Sequence, residues 1–208
     1  TASLSLDLRE PLSAAAFVDD RTAIVSCRNG RVFAADLVLG KVLWPFAPDA
    51  IESLRRAPVT AGGRAWCVAE SGRGRLFDVK TGAVLATTST GADILTATHQ
   101  DGIYFADGGV LNRLEADGRI VALCRLPAGR ATALVRGQGE WWIAAGADGL
   151  WRCDDAGRLE RASEEPAHGV VGGPPGTARV VREGRGVFSR DAAGVLRLVF
   201  EAADVRVD

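Results

Sequence analysis

Short apolar segments alternate with glycine-containing turns from one end of the chain to the other. The segments are about five to eight residues long, which is the usual length of β-strands and too short for most helices. Only residues 49–56 carry a helix start signal, because Glu52 follows Asp49 at the spacing of a capping box. The pattern therefore predicts an all-β protein with one or two helical turns.

The turn glycines repeat with a period near forty residues. One series has steps of 42, 36, 39 and 37 residues, and a second series interleaves with it in steps of 44, 35, 40 and 37 residues. A shared period of this length indicates five repeating units. The first series is Gly40, Gly82, Gly118, Gly157 and Gly194, and the second is Gly30, Gly74, Gly109, Gly149 and Gly186.

Four strands can be aligned in a unit. In the first unit the segments AAAFV, AIVSC, RVFAADL and KVLWPF follow one another and are separated by turns. Four antiparallel strands repeated every forty or so residues are typical of a β-propeller blade, and blades stack because one sheet cannot bury both of its faces alone. We therefore predict a single β-propeller domain over residues 1–208, with about five four-stranded antiparallel blades.

The sequence does not determine how the two ends of the chain close the ring. Residues Leu4–Pro11 resemble the last strand of a unit, yet the fifth unit already has its own last strand, VLRLVF, which leaves Leu4–Leu8 unassigned. The tail Asp204–Asp208 is unassigned as well. Either the ring closes with irregular edges, or it is incomplete and is completed by another chain or another copy.

One turn in the first unit has a more specific pattern. Ala34, Asp36, Gly40, Lys41 and Trp44 match A-x-D-x-x-x-G-K-x-x-W at every fixed position. This pattern resembles the tryptophan-docking motif of PQQ-like, quinoprotein-type β-propellers. Its chemistry is structural: Asp accepts backbone hydrogen bonds, Gly takes a positive φ, and the indole packs on the neighbouring blade.

The motif weakens along the chain, and its family's cofactor is not expected here. The second unit keeps Asp78 and Gly82 but has Ala86 in place of tryptophan. Quinoprotein enzymes also have adjacent cysteines and a calcium-binding group of acidic and amide residues. This chain has no adjacent cysteines and only two asparagines, Asn29 and Asn112. We therefore predict neither a cofactor nor a metal.

The charge pattern argues against binding to nucleic acid, and the hydropathy argues against a membrane-spanning helix. The chain has 25 basic and 26 acidic side chains, and they are interspersed, so it lacks the concentrated basic surface that nucleic acid requires. No apolar run approaches the roughly 18 residues that a membrane-spanning helix needs. The first ten residues do not resemble a signal peptide. We expect a protein that binds no nucleic acid and has no membrane span.

The four cysteines are each surrounded by apolar residues. They are Cys27, Cys67, Cys124 and Cys153, and their spacing does not fit a zinc site. Two disulfides with three possible pairings are one interpretation, and four buried thiols are the other, which the apolar surroundings favour. Thiols indicate a reducing, cytoplasmic compartment. A periplasmic location is the alternative if a leader has been removed.

The sequence contains no recognisable catalytic group. Its only histidines are His99, just before a hairpin turn, and His168, in a loop rich in glycine and proline. No G-x-S-x-G elbow or acidic metal-binding loop accompanies them. The consecutive Trp141 and Trp142 point to opposite faces of a strand, and we expect both in the core. The prediction is a protein that is not an enzyme.

The longest link between units, residues 46–58, is the candidate for partner docking. A helix over residues 49–56 would place Ile51 and Leu54 on one side and Arg55 or Arg56 on another. Such a helix could act as a lid over its own blade or as a docking element, since propellers differ most in their loops.

The missing catalytic group and the clear blade period lead to one preferred hypothesis. We predict a non-catalytic propeller scaffold that binds a protein partner, or another copy of itself, within a larger assembly. The alternative is a ligand-binding or enzymatic propeller whose central funnel uses Asp, Arg or His168 as contacts. A third possibility, by resemblance alone, is an assembly factor of the bacterial envelope.

Overall fold

The strand-length apolar runs form strands, and the structure groups them by fours. The protein is represented by a computed structural model, which describes residues 11–48, 52–54, 56–91, 94–126, 131–137, 139–172, 177–182, 186–191, 193 and 195–200. The predictions made for Leu4–Leu8, Asp204–Asp208, Asp49, Ile51 and Arg55 lie outside these residues.

The first three units each form a four-stranded sheet. The first sheet contains β1 (Leu12–Phe17), β2 (Thr22–Cys27), β3 (Val32–Asp36) and β4 (Lys41–Phe46). The second contains β5 (Val59–Ala61), β6 (Arg64–Val68), β7 (Arg73–Asp78) and β8 (Val84–Ser89). The third contains β9 (Leu95–His99), β10 (Gly102–Asp107), β11 (Val110–Leu114) and β12 (Ile120–Arg125).

The last two units repeat this arrangement. The fourth sheet contains β13 (Ala133–Arg136), β14 (Glu140–Ala144), β15 (Leu150–Asp154) and β16 (Leu159–Ser163). The fifth contains β17 (Gly169–Gly172), β18 (Ala178–Arg182), β19 (Gly186–Arg190) and β20 (Leu196–Phe200). Each sheet keeps its strands in chain order, which confirms the prediction of five four-stranded antiparallel blades.

The predicted helical turn does not form in the described part of residues 49–56. Residues 52–54, the part of the segment 49–56 that is continuously described, have no regular secondary structure, and no helix occurs in the described residues. Leu54 is only 6% exposed and belongs to a core cluster that includes Trp44 and Phe77. The apolar contact of Leu54 with the two neighbouring blades therefore decides the path of this link, rather than local helix propensity.

Most turn glycines have the positive φ that was predicted, with one change of assignment. Gly40, Gly82, Gly118 and Gly157 all have φ between 63° and 84°. In the second unit, however, the turn before β7 uses Gly72, with φ of 83°. Gly74, which the sequence period indicated, lies within β7, where a Cβ would be 2.6 Å from Trp66 Nε1. Its role is to let the strand approach that buried indole.

The chain divides into two compact units, each with its own apolar core. The first comprises Thr1–Asp93, Thr98–Ile103 and Leu114–Ile120, and the second comprises Ile94–Ala97, Tyr104–Arg113 and Val121–Asp208. The core of the first unit joins the first two sheets. In the second unit, Trp141 and Trp142 belong to separate clusters and are both almost fully buried, as the sequence predicted.

All four cysteines are buried free thiols. Burial raises the pKa of the Cys67 thiol to about 12. The Cys124 and Cys153 thiols belong to one core cluster, and a hydrogen bond between them lowers the pKa of Cys124 and raises that of Cys153. The described structure thus corresponds to the interpretation of the cysteines as small core residues.

Thiol labelling provides a test of this packing. In native protein we expect Ellman's reagent to react very slowly, because a reagent needs an accessible thiolate and all four side chains are buried. In denaturant all four should react rapidly. A Phe17→Cys variant is the matched control, because Phe17 is 71% exposed and a thiol there should react at once in the native state. Rapid reaction of all four native cysteines would contradict the core described here.

Candidate functional site

The turn between β3 and β4 is organised by one buried carboxylate. Asp36 Oδ1 accepts hydrogen bonds from the backbone N–H groups of Val38 and Leu39, both at 2.9 Å. Its other oxygen, Oδ2, accepts one from Arg21 Nε at 2.8 Å. The Gly40 N–H closes the turn by donating to the Asp36 carbonyl oxygen at 2.9 Å. Asp36 therefore serves the backbone and is not presented to a substrate.

These contacts favour the ionised form of Asp36. The hydrogen bond from Arg21, followed by the one from the Leu39 N–H, holds the pKa of Asp36 below its ordinary value of 3.8. Because the folded-state pKa is lower than the unfolded-state value, the ionised carboxylate stabilises the fold at pH values above about 3.8. This stabilisation is lost as the pH falls through the folded-state pKa.

An Asp36→Asn variant should show this pH dependence. We expect it to be less stable than the wild type near neutral pH, and the difference in free energy of unfolding should shrink as the pH falls below the ordinary aspartate value of 3.8. Urea unfolding of both proteins at several pH values measures the effect. An Arg21→Gln variant is the control, since it removes the largest cause of the shift. A stability difference that is independent of pH would contradict the assignment.

The same device recurs in later turns. Asp78 Oδ1 accepts hydrogen bonds at 2.8 Å from both the N–H and the hydroxyl of Thr81. Asp154 Oδ1 accepts from the N–H groups of Ala156 and Arg158 at 3.0 and 2.9 Å. In both cases these bonds lower the pKa of the carboxyl. The acidic residues that accompany the glycine series are therefore turn-forming groups in these units.

Trp44 joins the first two blades. Its indole Nε1 donates to the Val79 carbonyl oxygen of the second blade at 2.7 Å, and this bond is buried. The ring lies so close to Gly82 that a Cβ on that glycine would be 2.6 Å from Trp44 Cδ2. It also stacks on Phe77 with a centroid distance of 5.9 Å. The turn glycine of one blade thus receives the tryptophan of the blade before it.

This junction is repeated with smaller groups. A Cβ on Gly118 would collide with the Ala86 methyl group, and a Cβ on Gly157 would collide with the Leu123 carbonyl oxygen. Ala86 occupies in the second unit the place that Trp44 occupies in the first. The glycine series therefore meets two demands at once, a positive φ and close approach by the preceding blade. The sequence indicated the first demand, and only the structure shows the second.

Six exposed aliphatic side chains of the first two blades lie close in sequence to Trp44 or to Gly82, and we call them the apolar patch. They lie in the β3–β4 turn and at the beginnings of the fourth strands β4 and β8. Their exposed fractions range from 39% for Val42 to 64% for Val38. Docking of Trp44 on Gly82 places the two strand beginnings at the same junction between blades. The apolar patch consists of Val38, Leu39, Val42, Leu43, Val84 and Leu85.

The sequence did not predict the apolar patch, and the described residues of the link that was predicted to dock a partner are not among its members. Leu54 is buried in the core, so it is not an exposed docking residue, and Arg56 is half-buried. Ile51 and Arg55 lie outside the described residues. The sequence signal for the apolar patch was the Val-Leu pair that follows both Lys41 and Ala83. Such a pair is typical of any β-strand, and its exposure can be predicted only when the edge strand of the sheet is known.

A cleft of about 610 Å³ lies beside the second blade. Glu52 Oε1 is 3.2 Å from Arg73 Nη1 and 3.7 Å from Arg75 Nη2. Hydroxyl groups from the β6–β7 turn and from β8 complete the lining. The cleft is formed by Glu52, Ser71, Arg73, Thr87, Thr88 and Ser89.

Both histidines lie at the ends of strands. His99 ends β9, and His168 directly precedes β17 with its side chain half-buried. Within the described ranges no group of three metal-binding side chains comes together. None of the described residues forms a helix long and apolar enough to cross a membrane.

Comparisons with known proteins identify the fold. Comparisons with family models and with curated protein sequences each gave no match. Among solved structures, the chain is similar to the extracellular domain of the putative one-component system BT4673 from B. thetaiotaomicron, with a TM-score of 0.66 and 13% identity. The match covers 92% of this chain and 28% of that one, so the chain spans well under a third of this neighbour.

Two further structures agree. The Cps50 (Swd1) β-propeller domain of Myceliophteria thermophila matches with a TM-score of 0.61 and 13% identity, over 86% of this chain and 64% of that one. BamB from Moraxella catarrhalis matches with a TM-score of 0.55 and 12% identity, over 93% of this chain and 77% of that one. At these identities the likeness concerns the fold alone. The protein is an all-β propeller with five four-stranded antiparallel blades.

Proposed function

We propose that this propeller is a non-catalytic scaffold that binds a protein partner. The observation that carries the proposal is the apolar patch on the first two blades. Isolated exposed aliphatic residues are common, but we propose that these six, from two neighbouring blades, form one surface that water solvates poorly. Contiguous apolar surface on a soluble fold marks a place where another molecule binds. The polar groups near the apolar patch serve turns and are not arranged for catalysis.

The proposed family is that of PQQ-like propellers. The support is geometric: Asp36 binds the turn, Gly40 has φ of 63°, and the Trp44 indole docks on Gly82 of the next blade. These are the roles that the motif requires of its residues. We further propose a reducing, cytoplasmic location, and the four buried thiols support it.

Co-purification with matched variants tests the scaffold function. The tagged chain is purified from its source cells as the wild type, as a Leu43→Ser/Leu85→Ser variant of the apolar patch, and as a Val199→Ser control. Val199 is 57% exposed on β20, so its replacement changes exposed apolar surface at a different site. Circular dichroism and melting temperatures establish that all three proteins are folded.

We expect the wild type and the control to retain a stoichiometric protein partner that the patch variant loses. A folded wild-type chain that is recovered alone would overturn the scaffold function. So would a partner that all three proteins retain equally, because the apolar patch would then carry no binding.

Ligand binding is the second candidate, and the cleft around Glu52 favours it. Carboxylate, guanidinium and hydroxyl groups line this cleft, so it offers both donors and acceptors to a small polar molecule. Mass spectrometry of small molecules released from the purified protein tests this alternative. A small molecule that the wild type carries and that a Glu52→Gln variant loses would support it.

A further inference from the structure

Two of the four buried cysteines lie in the same apolar core. Cys124 is in β12 of the third blade and Cys153 is in β15 of the fourth, and both belong to the cluster that contains Trp141. A hydrogen bond joins the two thiols between the blades. The two side chains therefore need only a small movement to form a disulfide bond, in which the sulfur atoms are about 2 Å apart.

The backbone on either side of this pair is closely packed. A Cβ on Gly157, in the turn that follows Cys153, would collide with the carbonyl oxygen of Leu123, the residue before Cys124. The Gly157 N–H donates to the Asp154 carbonyl oxygen at 3.0 Å and closes this turn at the end of β15. The contact between the thiols is thus part of a packed junction between β12 and the β15–β16 turn.

The two thiols of the pair are not equivalent. The hydrogen bond from Cys153 holds the pKa of Cys124 below its ordinary value, whereas the same bond raises the pKa of Cys153. Cys124 is 8% exposed, and Cys153 is completely buried. Cys124 therefore has the properties of an attacking thiolate, and Cys153 has those of a second thiol held beside it.

Cys67 provides a comparison within the same chain. It lies in the core of the first two blades, where burial raises the pKa of its thiol to about 12. Its exposed fraction of 6% is close to that of Cys124. Because oxidants react with the thiolate, Cys67 should resist oxidation although it is buried to a similar extent.

From these contacts we infer that Cys124 and Cys153 form a redox modification site, in which hydrogen peroxide converts the two thiols into a disulfide that joins the third and fourth blades. The site is separate from the apolar patch and does not depend on the proposed scaffold function. Hydrogen peroxide is small enough to reach the slightly exposed Cys124, whereas the burial of this side chain excludes bulky reagents.

The oxidation takes place in two steps. The Cys124 thiolate attacks one oxygen of hydrogen peroxide, the O–O bond breaks, and the hydroxide that leaves takes up the proton that this thiol had released. Cys124 is then a sulfenic acid. The Cys153 sulfur attacks the Cys124 sulfur, the S–O bond breaks, and the departing hydroxide takes the Cys153 proton. Two thiols are thereby oxidised to one disulfide, and one hydrogen peroxide is reduced to two water molecules.

Thiol counting and peptide mapping of the folded chain test this site. The native protein is treated with hydrogen peroxide, catalase stops the reaction, and the remaining thiols are alkylated in denaturant before mass spectrometry. The variants Cys124→Ala and Cys153→Ala each remove one partner, and Cys67→Ala is the matched control for loss of a buried thiol. Circular dichroism before and after the treatment establishes that each protein is folded.

We expect the wild type to fall from four free thiols to two, to lose about 2 Da, and to yield one cross-linked peptide pair that contains Cys124 and Cys153. Dithiothreitol should restore the four thiols. The Cys67→Ala control should form the same disulfide, and Cys124→Ala should form none. In Cys153→Ala no second thiol attacks the sulfenic acid, so dimedone should label Cys124 in this variant and not in the wild type.

Three results would overturn the inference. The first is a wild type that keeps four thiols while glutathione in the same solution is oxidised. The second is a disulfide that includes Cys27 or Cys67, and the third is oxidation of all four cysteines at equal rates. If the alanine variants do not fold, the peptide map of the wild type alone decides, because Cys27 and Cys67 are internal controls.

Discussion

Replacing Trp44 with alanine should lower the free energy of unfolding by about 3–5 kcal/mol, the usual cost of truncating a buried tryptophan. The loss has two sources. The indole fills the space between Phe77 and Gly82 in the core of the first two blades, and its N–H satisfies the buried Val79 carbonyl oxygen. For a chain of 208 residues this corresponds to a melting temperature lower by about 6–20 °C.

A Trp44→Phe variant separates the two sources. It keeps an aromatic ring against Phe77 but leaves the Val79 carbonyl oxygen without its donor, which costs about 1–3 kcal/mol. We therefore expect its stability to lie between those of the wild type and Trp44→Ala. Chemical unfolding of the three proteins provides the measurement. An unchanged melting temperature for Trp44→Ala would show that the indole does not join the blades.

Replacing Gly82 with alanine should destabilise the fold by about 2–5 kcal/mol, because the new side chain has two separate costs. The φ of 73° is unfavourable for any residue with a Cβ, at about 1–2 kcal/mol. The new methyl group would also lie 2.6 Å from Trp44 Cδ2, and overpacking of this kind costs about 1–3 kcal/mol. Gly63→Ala is the matched control, since Gly63 has φ of 69° and nothing within 4 Å of its Cβ position. The control should show the backbone cost alone.

The double variant Trp44→Ala/Gly82→Ala tests whether the two residues act on each other. Without the indole the methyl group has room, so only the backbone cost of Gly82→Ala should remain. The double variant should therefore be less destabilised than the sum of the single variants, by about 1–3 kcal/mol. Additive effects would mean that the glycine and the tryptophan are not in contact in solution.

The blades could be predicted from sequence because their signals are local. Strand-length apolar runs and turn glycines each occupy a few consecutive residues, and their period needs no knowledge of distant contacts. Gly74 shows the limit of this reasoning. Gly72 and Gly74 are two residues apart and equally compatible with the period, and only the approach of β7 to the Trp66 indole distinguishes them.

The candidate binding surface could not be predicted, because exposure depends on long-range packing. Leu54 fits an amphipathic helix when read alone, but it is buried with Trp44 and Phe77 from two blades. Val42 and Leu43 read as core strand residues, but the fourth strand lies at the sheet edge, and the bulge at Leu43 leaves this side chain outside the ladder. Identical residue types thus exchange places between core and surface according to strand position.

The unequal junctions between blades predict which blades unfold together. In a repeat fold each unit is stabilised by itself and by its interfaces with its neighbours, so a weak interface limits how far unfolding of one unit spreads to the next. The Trp44 indole fills the junction between the first two blades and hydrogen-bonds across it, whereas at the corresponding position the second blade places the methyl group of Ala86 against Gly118. Amide hydrogens of the first two blades should therefore exchange together and slowly, as one cooperative block. A protein bound across the apolar patch would rest on this block.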